Sequence, residues 1–150
     1  MYRDANNAYL ESRVLSAGPL ELVRLLYQAG TGAVREARRH LAAGEIAARS
    51  RSISKACEIL MELIGALDRE RGGEIAERLA ALYGYMYSRL LEANLRQSDA
   101  PLAEVLGLMA TLGEGWDGAS RASESRPPAA TPWSQPMAAE PESACHAWSA

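Results

Sequence analysis

Phenylalanine is absent from this 150-residue chain, lysine occurs once, at Lys55, and histidine and cysteine occur twice each. Each shortage removes a class of function. His40 stands one helical step of four from Glu36, but a bundle di-metal centre needs a Glu-x-x-His pair twice over, and here there is none. No HExxH, CxxC or Cys-His pair at ligand spacing occurs, so no metal and no cofactor are expected. Cys57 and Cys145 lie far apart, the first on an apolar helix face and the second in a polar stretch. They make no disulfide framework, and a reducing compartment is the expectation. Runs of Val, Ile and Thr are nearly missing, which argues against strands and for an all-α fold. No apolar stretch is long enough for a bilayer. The opening MYRDANNAYLESRV carries charge where a secretory signal needs an apolar run. A soluble, cytoplasmic protein without membrane insertion is expected. The net charge of −3 gives no global field for nucleic acid. Arg35, Arg38, Arg39, Arg49 and Arg51 cluster near one predicted helix turn, but without interleaved aromatics they read as a solvated face. Carboxylates sit at ordinary helix-surface spacing, so no enzyme constellation is present.

What is present is helix-forming sequence with clear punctuation. Gly18-Pro19-Leu20-Glu21 opens a first helix, with Pro19 at its first position and Glu21 near the positive end. Leu22, Leu26, Ala29, Ala33, Ala37 and Leu41 mark its face, and Gly44 ends it. Gly30-Thr31-Gly32 follows no strand and lacks the third glycine of a phosphate loop; it reads as a place of close helix packing. A second helix is predicted from Glu45 to Arg71, stopped at Gly72 or Gly73. A third runs from Ile75 to about Gln97. A fourth is capped by Ser98 or Asp99 with Pro101 in its first turn. Gly113, Gly115 and Gly118 around Trp116 each cost about 1 kcal/mol against alanine, so fraying is expected before or just after Trp116. From Ser120 onward prolines interrupt any helix, and 120–150 reads as a disordered Pro/Ala/Ser-rich tail in which Trp133 and Trp148 are docking points or idle.

The third helix carries more apolar surface than a bundle core requires. Ile75, Leu79, Leu82, Met86, Leu90 and Ala93 form one row, and Tyr83, Tyr87, Leu91 and Leu95 a second. Residues 1–17 hold a spare set of their own: Tyr9, Leu10, Val14 and Leu15. Such a surplus fits a groove that takes an amphipathic helix. It fits equally a structural or regulatory homodimer that buries the same surface.

The run Gly72-Gly73-Glu74-Ile75, then Leu82-Tyr83-x-Tyr85-Met86, then Arg89-Leu90-x-x-Ala93-Asn94-Leu95, resembles the third helix of the flagellar export chaperone family FliS. The resemblance extends over about residues 2–118. Two departures stand out. Ser16-Ala17-Gly18-Pro19 lacks the capping hydroxyl that the family usually places before the proline, and glycines surround Trp116 where the family has a continuous helix. The resemblance implies an antiparallel four-helix bundle at 18–119, preceded by a short helical cap segment at 1–17 made of Tyr9, Leu10, Val14 and Leu15. It also implies a cytoplasmic chaperone that binds the C-terminal segment of flagellin, prevents its premature polymerisation and delivers it to the flagellar type III export apparatus. An export-gate component would be met when the client is loaded. With the surplus row, it makes Leu60, Leu67, Leu79, Tyr83 and Tyr87 the candidate contacts for flagellin.

Overall fold

A computed structural model of the chain describes residue 5, residues 7–9 and residues 18–125. Four long helices account for nearly all of it: α1 (Pro19–Ala42), α2 (Ile46–Gly65), α3 (Arg69–Arg96) and α4 (Asp99–Glu124). Connections of two or three residues force each helix to return beside the last, the up-down-up-down arrangement of a bundle. α1 packs on α2 and α4, and α3 packs on the same two neighbours. The register of α1 on α4 is antiparallel: Arg38 meets Asp99, Gly30 meets Met109 and Tyr27 meets Trp116. The predicted all-α bundle is the fold observed. Ala5 and residues 7–9 are helical and exposed.

Start and stop signals explain most boundaries. Pro19 enters at the first position after Gly18, and Gly44, at φ 72°, turns the chain where a side chain would strain it. Gln97 takes the left-handed conformation that closes α3, with φ 51°.

Two boundaries differ from the sequence expectation. α2 ends at Gly65, short of Arg71, because Asp68 begins a new helix there: its Oδ1 accepts from the amides of Glu70 and Arg71, both at 3.1 Å. That capping bond satisfies amides that a continued α2 would have satisfied otherwise. Gly73 therefore does not stop a helix but kinks one, with φ 48° and ψ −123° inside α3. α4, in turn, does not fray at Trp116 and continues through its glycines to Glu124. The indole is the reason. Trp116 Nε1 donates to the Tyr27 hydroxyl at 3.1 Å and the ring packs on the core, contacts that offset the poor local propensity.

The core draws on all four helices: Val34 and Ala37, Ile53, Leu60 and Leu63, Met86 and Leu90, Leu102, Val105 and Met109. On α1 the buried set is Tyr27, Gly30, Ala33, Val34 and Ala37, while Ala29, expected on that face, is exposed. Close packing at the Gly-Thr-Gly run belongs to Gly30 alone. A Cβ there would lie 2.4 Å from Met109 Cε and 3.2 Å from Ile59 Cγ2, whereas Gly32 faces open space. Alanine could be accommodated by a shift of the Met109 terminus. Leucine could not, and Gly30→Leu is expected to cost about 1–3 kcal/mol, read from denaturant unfolding.

The basic cluster also differs from a plain solvated face. Arg49 is buried at 4 % exposure, its Nε 3.4 Å from Asn94 Oδ1 and its Nη2 3.5 Å from the Asn94 carbonyl. It sits at the negative end of α3, where a cation is favoured. Arg38 grips Asp99 through both carboxylate oxygens, at 2.7 and 2.9 Å, tying α1 to the start of α4. This hydrogen-bonded pairing holds the Asp99 carboxyl below its ordinary pKa. A depressed carboxylate adds stability above its unfolded pKa, and that stability is lost as pH falls through the folded one. Asp99→Asn is expected to flatten the fall in melting temperature below about pH 4. The effect at neutral pH should be small, about 0–1 kcal/mol, because the pair is half-exposed.

Candidate functional site

α3 leaves apolar surface uncovered on both sides of the core. Its second row starts buried and ends in solvent: Tyr83 is 1 % exposed, Tyr87 half-buried, Leu91 49 % and Leu95 84 % exposed. Ile75 at the other end is 70 % exposed, and Met61 on α2 is 56 % exposed. A helix that only completed a core would not keep these positions apolar.

Two depressions follow from this layout. The first lies at the end of the bundle where α1 begins. Leu22 and Val23 of α1, Leu67 of the α2–α3 turn, Ile75 and Leu79 of α3 and Trp116 of α4 line a groove of about 410 Å³. Its lining is overwhelmingly apolar; Asp68 and Arg71 stand at its rim. The kink at Gly73 adjoins Gly72 of this groove, and Leu67 and Arg71 before it share the lining with Ile75 and Leu79 after it. Gly72 is held close: a Cβ there would lie 2.8 Å from the Ala76 Cβ. The second depression is a trough of about 270 Å³ between α2 and α3, with Ile53, Cys57 and Met61 on one bank and Tyr87, Leu91 and Asn94 on the other. A third, of about 350 Å³ between α1 and α4, mixes Arg24 and Arg35 with Glu114 and Asp117 and offers no coherent apolar face.

The candidate contacts divide accordingly. Leu67 and Leu79 line the end groove, and Tyr87 lines the trough. Leu60 and Tyr83 are in the core, at 0 % and 1 % exposure, between the two. They brace the floor of the surface and do not present to solvent. In the cap segment, Tyr9 is 61 % exposed, while Leu10, Val14 and Leu15 lie outside the described residues. The sequence reading of the contacts passed over Val23, Ile75 and Trp116 in the groove, and Met61 and Leu91 in the trough. The rows on α3 carried the signal for Ile75 and Leu91. Nothing in the sequence showed that the first turns of α1 would close the groove from the far side.

Beneath the groove lies a polar link across the bundle. The hydroxyls of Tyr27 and Tyr83, on diagonally opposed helices, are hydrogen-bonded to each other, and Trp116 donates to Tyr27. Burial raises the pKa of both phenols, so neither ionises near neutrality. The rings stand 6.4 Å apart in both the Tyr27–Tyr83 and Tyr27–Trp116 pairs. This link fixes Trp116 as the wall of the groove. Cys57 in the trough is similarly inert as a nucleophile: burial, with help from the Glu58 charge, pushes its thiol up to about 11. Among the described residues no group of His, Cys, Asp or Glu could hold a metal ion. No described helix is long and apolar enough to cross a membrane.

A bundle with a surplus apolar face on its third helix is the architecture expected from the resemblance, and comparison with known proteins decides the family. The family model of the flagellar protein FliS matches residues 1–123. The chain belongs to the FliS family. It is similar to the flagellar secretion chaperone FliS of Salmonella typhimurium, with 42 % identity over 108 residues, 71 % of this chain and 80 % of that protein. It is similar to the flagellar secretion chaperone FliSB of Pseudomonas aeruginosa, with 40 % identity over 111 residues, 74 % of this chain and 88 % of that protein. The chaperone FliS of Bacillus subtilis is 31 % identical over 109 residues, 73 % of this chain and 80 % of that protein. The matched region of this FliS chain takes in all four helices almost to the end of α4, and so both depressions flanking α3.

Proposed function

We propose that this chain is a cytoplasmic flagellar export chaperone that captures the C-terminal segment of flagellin on the apolar face built around α3. The observation that carries the reading is the course of the second α3 row, from buried Tyr83 out to exposed Leu95, flanked by the apolar end groove and by a trough of mixed lining. A client segment that folds as an amphipathic helix would seat apolar side chains at spacings of three and four in such depressions. Leu67 and Leu79 in the end groove and Tyr87 in the trough are the proposed contacts, with Ile75, Met61 and Leu91 beside them. Held in this way, the segment is withheld from polymerisation and carried to the flagellar type III export apparatus, where the loaded complex meets an export-gate component. Family membership supports the export role, and the surplus surface supports client capture. The test is a pull-down with full-length flagellin and with flagellin lacking its C-terminal segment. Retention of the first and loss of the second is the expected result.

The same exposed residues support a second reading, a homodimer that buries Ile75, Met61, Leu91 and Leu95 against a second copy. Sizing the protein alone separates the two. A monomer that shifts only on addition of client favours the chaperone; a stable dimer indifferent to client favours the alternative.

A further inference from the structure

The arginines clustered near the α1–α2 turn do not share one task. Arg38 is held by Asp99, and Arg49 is buried against Asn94. Arg35, Arg39 and Arg51 remain exposed, together with Lys55, the one lysine of the chain. Among the described residues, Arg35, Arg51 and Lys55 have no carboxylate within 4 Å, and Arg39 reaches Glu36 only at 4.0 Å. Elsewhere arginines lie beside carboxylates: Arg24 and Glu21, Arg71 and Asp68, Arg78 and Glu74, Arg96 and Glu92. Arg69 and Arg121, also unpaired, stand singly on α3 and α4. The unpaired cations of α1 and α2 gather instead on one surface. Arg35 and Arg39 are one turn apart on α1, and Arg51 and Lys55 one turn apart on α2. Glu36 and His40 of α1 line an open depression of about 300 Å³ with Arg51, Ser52 and Lys55 of α2, which sets the two helices' cations side by side. Residues 35–55 hold six Lys and Arg against two Glu, in a chain of net charge −3. Like charges one turn apart destabilise each helix slightly, a cost that an anionic partner reverses.

We propose that this outer face of α1 and α2 docks on an anionic phospholipid bilayer. The spread of the charge selects the partner. Cations on two helices, at roughly 6 Å steps along each, answer a plane of headgroups and not a single phosphate. The depression between them offers only Ala48 as an apolar contact, so a peptide would find no pocket for an anchoring side chain. No aromatic ring occurs in residues 35–55, so nucleic acid bases would find nothing to stack on. The acidity of the rest of the chain does not oppose docking. Attraction to a charged surface falls off over about 8 Å at physiological salt, while α3 and α4 form a second layer about 10 Å behind α2 and α1. The same layering keeps the client surface clear: the end groove meets α1 at Leu22 and Val23, about 24 Å along the helix from Arg39. Bilayer docking and client capture are therefore compatible, and the first does not rest on the second.

The test is cosedimentation of the full chain with phosphatidylcholine vesicles, with and without about 30 % phosphatidylglycerol. Two triple variants are compared. Arg39→Gln/Arg51→Gln/Lys55→Gln alters the proposed face, and Arg69→Gln/Arg78→Gln/Arg96→Gln makes the same change in net charge on α3. All of these side chains are exposed, and thermal melts check both folds. Each basic side chain near an anionic surface strengthens partitioning about fivefold, so the first variant should lose about a hundredfold and the second little. Binding should be absent on pure phosphatidylcholine and fall as salt is raised. Equal loss in the two variants would reduce the effect to net charge and overturn the proposal. So would binding that ignores phosphatidylglycerol, which would assign attachment to the apolar face around α3, or no binding to either vesicle at low salt. Poly-glutamate held through Arg39, Arg51 and Lys55 by a protein that ignores vesicles would give the face to an acidic protein instead.

Discussion

Leu79→Arg is expected to weaken binding of a flagellin C-terminal peptide by about a hundredfold or more while the bundle stays folded. Leu79 lines the end groove and is only partly buried, packed on the edge of the core, so its replacement costs less stability than a fully enclosed leucine would. In the complex the position would be covered. Losing a buried leucine contact removes about 1.5–3 kcal/mol. Covering a guanidinium without a partner adds a further desolvation cost. Each 1.4 kcal/mol is about a factor of ten in affinity, so the two together exceed two decades. Titration calorimetry gives the affinity, and a thermal melt by circular dichroism checks the fold. A Leu79→Arg protein that melts normally and binds with unchanged affinity would place the client elsewhere.

Leu60→Ala and Tyr83→Ala should act in the opposite sense, removing stability first and binding only as a consequence. Both side chains are fully enclosed, Leu60 at 0 % and Tyr83 at 1 % exposure. Truncation leaves a cavity that the surrounding helices cannot fully close, at a cost of about 2–5 kcal/mol for the leucine and about 3–5 kcal/mol for a large aromatic. Against a total stability of about 5–15 kcal/mol, either loss is large. Tyr83→Phe isolates the polar part. Tyr27 keeps its bond from Trp116 but loses its partner across the bundle, for about 1–3 kcal/mol. Denaturant unfolding ranks the variants, with Tyr83→Ala expected below Tyr83→Phe.

The four helices were legible because their sequences carry clear punctuation: Pro19 in the first turn of the first helix, Gly44 at its end, and Pro101 in the first turn of the fourth. The α2–α3 boundary was not, because apolar periodicity carries on through Leu67 and the paired glycines after it look like a stop. The deciding signal was one aspartate whose side chain caps two amides. The persistence of α4 past Trp116 was illegible for a different reason. It depends on Tyr27, fifty-six positions from Tyr83 and eighty-nine from Trp116, and no local propensity reports such contacts.

The candidate surface shows the same division. Periodicity located the surplus rows on α3 but could not say which members turn inward. Leu60 and Tyr83 are core and Leu67, Leu79 and Tyr87 are not, a distinction set by where α1 and α4 lie. Arg49 makes the point for charge. Its neighbours in sequence suggest a wet arginine cluster, yet it is buried against the last turn of α3 because α2 and α3 approach there.

Capture of flagellin by the apolar face around α3 is tested most directly by calorimetry of the full-length chain with a flagellin C-terminal peptide at several temperatures. Folding an apolar segment onto the groove and trough buries surface from both partners, so binding should carry a large negative heat-capacity change. The account predicts saturable binding with that signature, lost in Leu79→Arg. An absence of binding heat at every temperature, with the peptide remaining free by sizing, would contradict it.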